Sequence, residues 1–154
     1  MEPTVSAEKA ELAAVRARRA ELRESMGRLE RSLAAPASGR AVVWGEQVHA
    51  VLIELAEDFQ EHIEVTEGAD GLHQAILAGD LRLANAVNAL AVEHSQIAGE
   101  VDDLVAGTEP PVTAPDAEAV RNRATNLLGR LVRHRQRGAD LIYEAYQTDI
   151  GGGD

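Results

Sequence analysis

Four stretches of this chain carry apolar residues at alternating steps of three and four. A seven-residue period of that kind commits a chain to helices that bury one face against one another. In the first stretch the row is Leu12, Val15, Leu22, Met26, Leu29 and Leu33, with Arg19 among them. In the second it is Val48, Leu52, Leu55 and Phe59, followed by His62 and Thr66. In the third it is Leu83, Val87, Leu90, His94, Ile97, Val101 and Leu104, and in the fourth Val120, Ala124, Leu127, Leu131, His134, Gly138, Leu141 and Ala145. Gly and Pro separate the rows at Pro36-Ala37-Ser38-Gly39, Gly68-Ala69-Asp70-Gly71, Ala78-Gly79-Asp80 and the segment from Gly107 to Pro115.

This punctuation predicts long helices near 6–34, 40–66, 81–106 and 116–147, with Asp116 capping the last and a short connector helix over 71–78. Short connections favour antiparallel neighbours. The predicted fold is all-α, an antiparallel left-handed four-helix bundle with the connector between its second and third long helices. The 154 residues suit one domain over 1–150. Residues 151–154, Gly151-Gly152-Gly153-Asp154, have nothing to pack and are predicted to form a flexible tail. The predicted core is Leu52, Leu55, Phe59, Leu90, Ile97, Leu127, Leu131 and Leu141.

The chain has no cysteine, which removes disulfides, thiolate metal sites and thiol catalysis together. Its formal charge of −11 argues against a nucleic-acid partner. Basic residues still gather at Arg16, Arg18, Arg19 and Arg23, and again at Arg130, Arg133, Arg135 and Arg137; these read as solvated helix faces. No stretch reaches the ~18 apolar residues of a membrane span. The start, Met1-Glu2-Pro3-Thr4, lacks the order of a signal peptide, so a cytoplasmic location is the default expectation.

The breaks in the apolar rows carry the chemistry: Arg19, His62, Thr66, His94, His134 and Gly138. Burying an imidazole without partners costs on the order of 1–3 kcal/mol. A lone histidine on an apolar face is more often a hydrogen-bonded core residue than a ligand. Three of them, on three helices, bring the two readings level, because neutral imidazole is a common ligand for zinc and also suits iron and copper. Heptad logic leaves the vertical register open, so it does not by itself show that the three meet. His49 lies thirteen residues from His62, roughly 20 Å along one helix, and reads as a boundary residue. His73, in the connector, is expected to be exposed.

Residues Trp44 through Glu67, the segment Val92-Glu93-His94-Ser95, and Arg133-His134 through Tyr146 with the following Gln147 to Gly152 resemble the hemerythrin-like (HHE cation-binding) family. The resemblance implies a four-helix bundle around a non-haem iron centre, usually of two irons, and carries ligand roles to His62, His94 and His134. It also implies departures. Thr66 stands where a carboxylate is expected four residues after His62, and Gly138 where one is expected four residues after His134. Arg19 stands near where the first helix would offer a histidine. Glu67 and Asp140 are close in sequence but turn away from the histidine of their own helix.

Without anionic bridges two irons would repel each other, so the expectation is a carboxylate-poor histidine site holding one ion, iron or zinc, with Arg19, Thr66 and Gly138 lining its cavity. Acid should then release the ion as the imidazoles protonate near ~6.5. The alternative is a pseudo-hemerythrin without metal, serving as a scaffold, a small-ligand binder or a regulatory module. A third reading, an enzyme handling oxygen or peroxide, rests on family analogy alone, since no nucleophile–base pair or phosphate loop is legible. No protein partner is legible either.

Overall fold

In the computed structural model of the chain, the backbone is described for residues 2–152 and the side chains for residue 10 and residues 12–146. The elements are α1 (Glu2–Ala34), α2 (Ala41–Glu67), α3 (Leu72–Gly79), α4 (Ala84–Gly107) and α5 (Ala114–Gly152), with a 3₁₀ turn at Leu81–Leu83 before α4. No strand occurs among the described residues. Of the expected tail, residues 153–154 lie outside the described residues. Among the described residues, no single helix is long and apolar enough to cross a membrane.

Helix α1 begins at Glu2, four residues before the expected start, and the starts of α4 and α5 differ from expectation for local reasons. The chain enters α4 through the 3₁₀ turn because the Asp80 carboxylate accepts from the Arg82 backbone N–H at 2.9 Å and holds that turn closed. Helix α5 begins at Ala114, so Asp116 sits in its first turn rather than at the cap. The Thr113 carbonyl accepts from the backbone N–H groups of Asp116 (3.0 Å) and Ala117 (3.1 Å). Pro115 costs nothing there, since the first N–H groups of a helix have no partner to lose.

The four long helices form a bundle in which α1 packs on α2, α2 on α4, α4 on α5 and α5 on α1, while the short α3 lies against α1, α2 and α4. All eight predicted core residues are buried, none more than 6% exposed. Each fully buried Leu, Ile or Phe contributes about 1.5–3 kcal/mol of hydrophobic stabilisation. The apolar interior has two parts. A larger cluster holds Leu22, Leu29, Trp44, Leu52, Leu55, Phe59, Ile97, Leu127 and Leu131. A smaller one holds Val15, Leu72, Ile76, Val87, Leu90, Leu141 and Ala145. His62, His94 and His134 follow the first cluster along α2 and divide the two clusters along α4 and α5, so the histidines form a polar layer across an apolar core.

The far end of the bundle is closed by contacts that the heptads do not encode. The loop from α4 to α5, which contains a cis Pro110–Pro111 bond, sets Val112 directly on α2 at Gly45. A Cβ at Gly45 would stand 2.4 Å from the Val112 Cβ, so only glycine allows this approach. Nearby, Arg121 donates from Nε to the Leu33 carbonyl and from Nη2 to the Ala35 carbonyl, both at 2.9 Å. It thereby satisfies acceptors at the end of α1, and its guanidinium lies 5.1 Å from the centre of the buried Trp44 ring.

Candidate metal centre

The seam of each helix aims its polar interruption inward, because a heptad position cannot leave the core without unpacking its neighbours. His62 of α2, His94 of α4 and His134 of α5 are buried, and one ring nitrogen from each lies within 4.8 Å of the other two. The three therefore do converge. The His62 and His134 Nε2 atoms are 3.4 Å apart. Phe59, one turn before His62, forms the floor: its ring centre is 5.7, 5.8 and 6.0 Å from those of His62, His94 and His134.

The cavity bounded by the three imidazoles has a volume of about 30 Å³, room for a single ion or a water or two. Arg19, Thr66 and Gly138 all line it, with apolar walls from Val15, Leu22, Leu72, Leu90 and Leu141. Thr66 offers it little polarity, because its hydroxyl donates back to the His62 carbonyl at 2.8 Å. Gly138 presents empty space: a Cβ there would meet nothing within 4 Å. Arg19 is half-buried, and its Nη2 donates to the Arg135 carbonyl at 3.3 Å.

Two carboxylates, one of them the Glu67 that the sequence had set aside, meet the histidines from neighbouring helices. Glu93 of α4 accepts from the His134 Nδ1 at 2.6 Å, and Glu67 of α2 pairs with the His94 Nδ1. Glu67, expected to turn away from the His62 of its own helix, meets the His94 of the next one. The signal was present as a flank position: residues adjoining a heptad seam face the neighbouring helix. A carboxylate on Nδ1 fixes a neutral histidine with its proton there and leaves Nε2 as a lone pair. Glu93 is anchored in turn by an ion pair with Arg137.

Among the described residues, His62 has no such orienting partner. Its Nδ1 is buried without a hydrogen bond. With the proton on Nδ1, that N–H goes unmet and two Nε2 lone pairs face each other at 3.4 Å; with the proton on Nε2, the Nδ1 lone pair goes unmet. Either tautomer leaves a buried polar atom unsatisfied, which costs on the order of 1–3 kcal/mol.

His73 corrects the expectation of exposure. It is 5% exposed, because α3 turns Leu72, His73 and Ile76 together toward the bundle. Its ring lies parallel to that of His94 with centres 5.8 Å apart, and it lines the same cavity. The cavity thus holds four imidazoles. His49 behaves as a boundary residue, half-buried with its Nδ1 2.9 Å from the Thr108 hydroxyl.

Burial sets the protonation of the group. It holds His62 down at about 3, reinforced by His134, Arg19 and His73. It lowers His94 to about 2, reinforced by His62, His134 and His73, and His73 to about 4, reinforced by His134. His134 is lowered by the same desolvation, opposed by its bond to Glu93. Burial raises Glu67. At neutral pH the cavity therefore presents uncharged imidazoles, the protonation state that binds metal ions. No protein-family model, no curated protein and no solved structure matches this chain.

Proposed function

We propose that this chain is a hemerythrin-like metal-binding protein, an antiparallel left-handed bundle that holds one divalent transition-metal ion on His62, His94 and His134. The observation that carries the reading is the pair of Nε2 atoms at 3.4 Å with no proton-bearing arrangement that satisfies both rings. Two nitrogens bound at ~2.05 Å to one tetrahedral ion stand about 3.3 Å apart, so the spacing suits a shared ion. The orienting carboxylates Glu67 and Glu93 support the same reading, since ligand histidines commonly give their second N–H to such a group.

The donor set favours zinc or mononuclear non-haem iron. Neutral imidazoles with no ligating carboxylate leave an ion's charge uncompensated, and two adjacent ions doubly so. Arg19 at the cavity edge adds to that penalty. A bound ion would supply Lewis acidity at a coordination position left open. The chain's own residues orient the ligands through Glu67 and Glu93 and exclude bulk water with Phe59, Leu22, Leu90 and Leu141.

Metal analysis of purified protein, stripped and then reloaded with Zn²⁺ or anaerobically with Fe²⁺, tests the reading. The expected result is about one ion per chain. His94→Ala should reduce it to background, and His49→Ala should not. Two ions per chain would show bridging ligands beyond these three histidines. Retention of none by the wild-type chain would leave the fold as a scaffold with a hydrated polar core.

A further inference from the structure

The two arginine groups of the sequence separate into different kinds in three dimensions. Arg18 pairs with Glu21 and Glu61, Arg130 with Glu100, and Arg137 with Glu93, so these do sit on solvated, neutralised faces. Arg16, Arg19, Arg23 and Arg135 are not neutralised in this way, nor is the exposed Arg133, which stands apart from them. Among the described residues, no carboxylate lies within 4 Å of any of the four, yet together with Ala20 they line one pocket of about 240 Å³ between α1 and α5. Arg16, Arg19 and Arg23 follow one another at steps of three and four along α1, which stacks them on one face over roughly 10 Å. Arg135 meets them from α5, its carbonyl holding the Arg19 guanidinium at 3.3 Å.

Four guanidinium groups around one depression, with no carboxylate partner among the described residues, repel one another, in a chain whose net charge is −11. The repulsion is felt at Arg19, which burial first and then Arg135, Arg23 and Arg16 push below the usual arginine range. An anion seated among them would offset that repulsion. Guanidinium forks match phosphate oxygens in pairs, and several can share one phosphate.

We infer that Arg16, Arg19, Arg23 and Arg135 form a binding site for a small phosphate-type oxyanion, free phosphate or a compact phosphate ester. The pocket's size admits such a molecule, and the acidity of the rest of the surface disfavours a long polyanion. Arg19 lines both this pocket and the histidine cavity, so the anion binds at the edge of that cavity. The site stands on the arginines alone and does not depend on the metal reading.

Calorimetric titration of the full chain with inorganic phosphate, and in parallel with glycerol 3-phosphate, tests the inference at constant ionic strength held by chloride. Saturable binding of one anion per chain is expected, with a rise in melting temperature that chloride does not give. Arg16→Gln and Arg23→Gln, both at exposed positions, should each weaken it about tenfold, while the exposed Arg31→Gln should not. A preference for the ester over phosphate would add an organic moiety to the ligand. Equal effects of phosphate and chloride, or equal loss in Arg31→Gln, would overturn the site. Tighter binding of duplex DNA, lost in the same variants, would replace the small anion with a polyanion.

Discussion

At the scale of single residues, Gly138 and Glu93 separate what the histidines do from what surrounds them. Gly138 occupies a cavity position where a side chain meets open space. Gly138→Asp should place a carboxylate beside the histidines with opposite effects on the two forms of the protein. The metal-free chain should melt at lower temperature, since a buried carboxylate without a cation is costly. The zinc-loaded chain should bind more tightly, because the anion offsets the ion's charge. Paired melting curves with and without Zn²⁺ check this; equal shifts in both would place position 138 away from any ion. Glu93 accepts from the His134 Nδ1 at 2.6 Å. Glu93→Gln keeps the shape but removes the charge, and should weaken zinc binding about 10–100-fold in chelator competition while leaving the fold intact. Unchanged affinity would mean that Glu93 serves Arg137 alone.

At the scale of elements, a glycine's neighbours decide whether a methyl group helps or harms its helix. Gly45 of α2 and Gly99 of α4 are both interior helix positions. Gly45 faces Val112 at a separation that excludes a Cβ, whereas nothing lies within 4 Å of a Cβ at Gly99. Gly45→Ala should destabilise the fold by about 1–3 kcal/mol through the displaced loop. Gly99→Ala should stabilise it by roughly 0.5–1 kcal/mol, because alanine restricts the unfolded backbone and suits a helix better. Urea midpoints of the two variants check the contrast, and a loss in both would mean that propensity and open space do not govern position 99.

For the whole molecule, the buried imidazoles make stability depend on pH. His62, His73 and His94 have folded values near 3, 4 and 2, against about 6.5 for an unfolded histidine. Below about 6.5 the unfolded chain takes up protons that the folded chain refuses, so stability is full above that pH and falls as pH drops toward 4. Each histidine contributes a slope of about 1.4 kcal/mol per pH unit in that window, roughly 4 kcal/mol for the three. A typical domain stability of about 5–15 kcal/mol would be consumed within one to four pH units. The metal-free chain should therefore unfold cooperatively between about pH 6 and 4, followed by circular dichroism. A stability flat from pH 7 to 4.5 would mean that the rings are hydrated. In the metal-free cavity the folded rings resist protonation near 6.5, so acid release of a bound ion should accompany unfolding rather than titration of the folded site.

The heptad rows determined the four long helices, the buried faces and the inward aim of His62, His94 and His134, because a seven-residue period dictates which side of a helix meets its neighbours. The same logic turned Glu67 and Asp140 away from the histidines of their own helices, and gave no sign that Glu67 meets His94. It was silent on vertical register, so only the packed helices decided that the three histidines share one layer above Phe59. It was equally silent on pairs formed between helices: the Glu67–His94 and Glu93–His134 contacts, the burial of His73 by α3, the approach of Val112 to Gly45, and the meeting of Arg135 with the arginines of α1. Helical periodicity is a property of one segment, whereas these contacts depend on the distances and offsets between segments, which loops and side-chain packing set together.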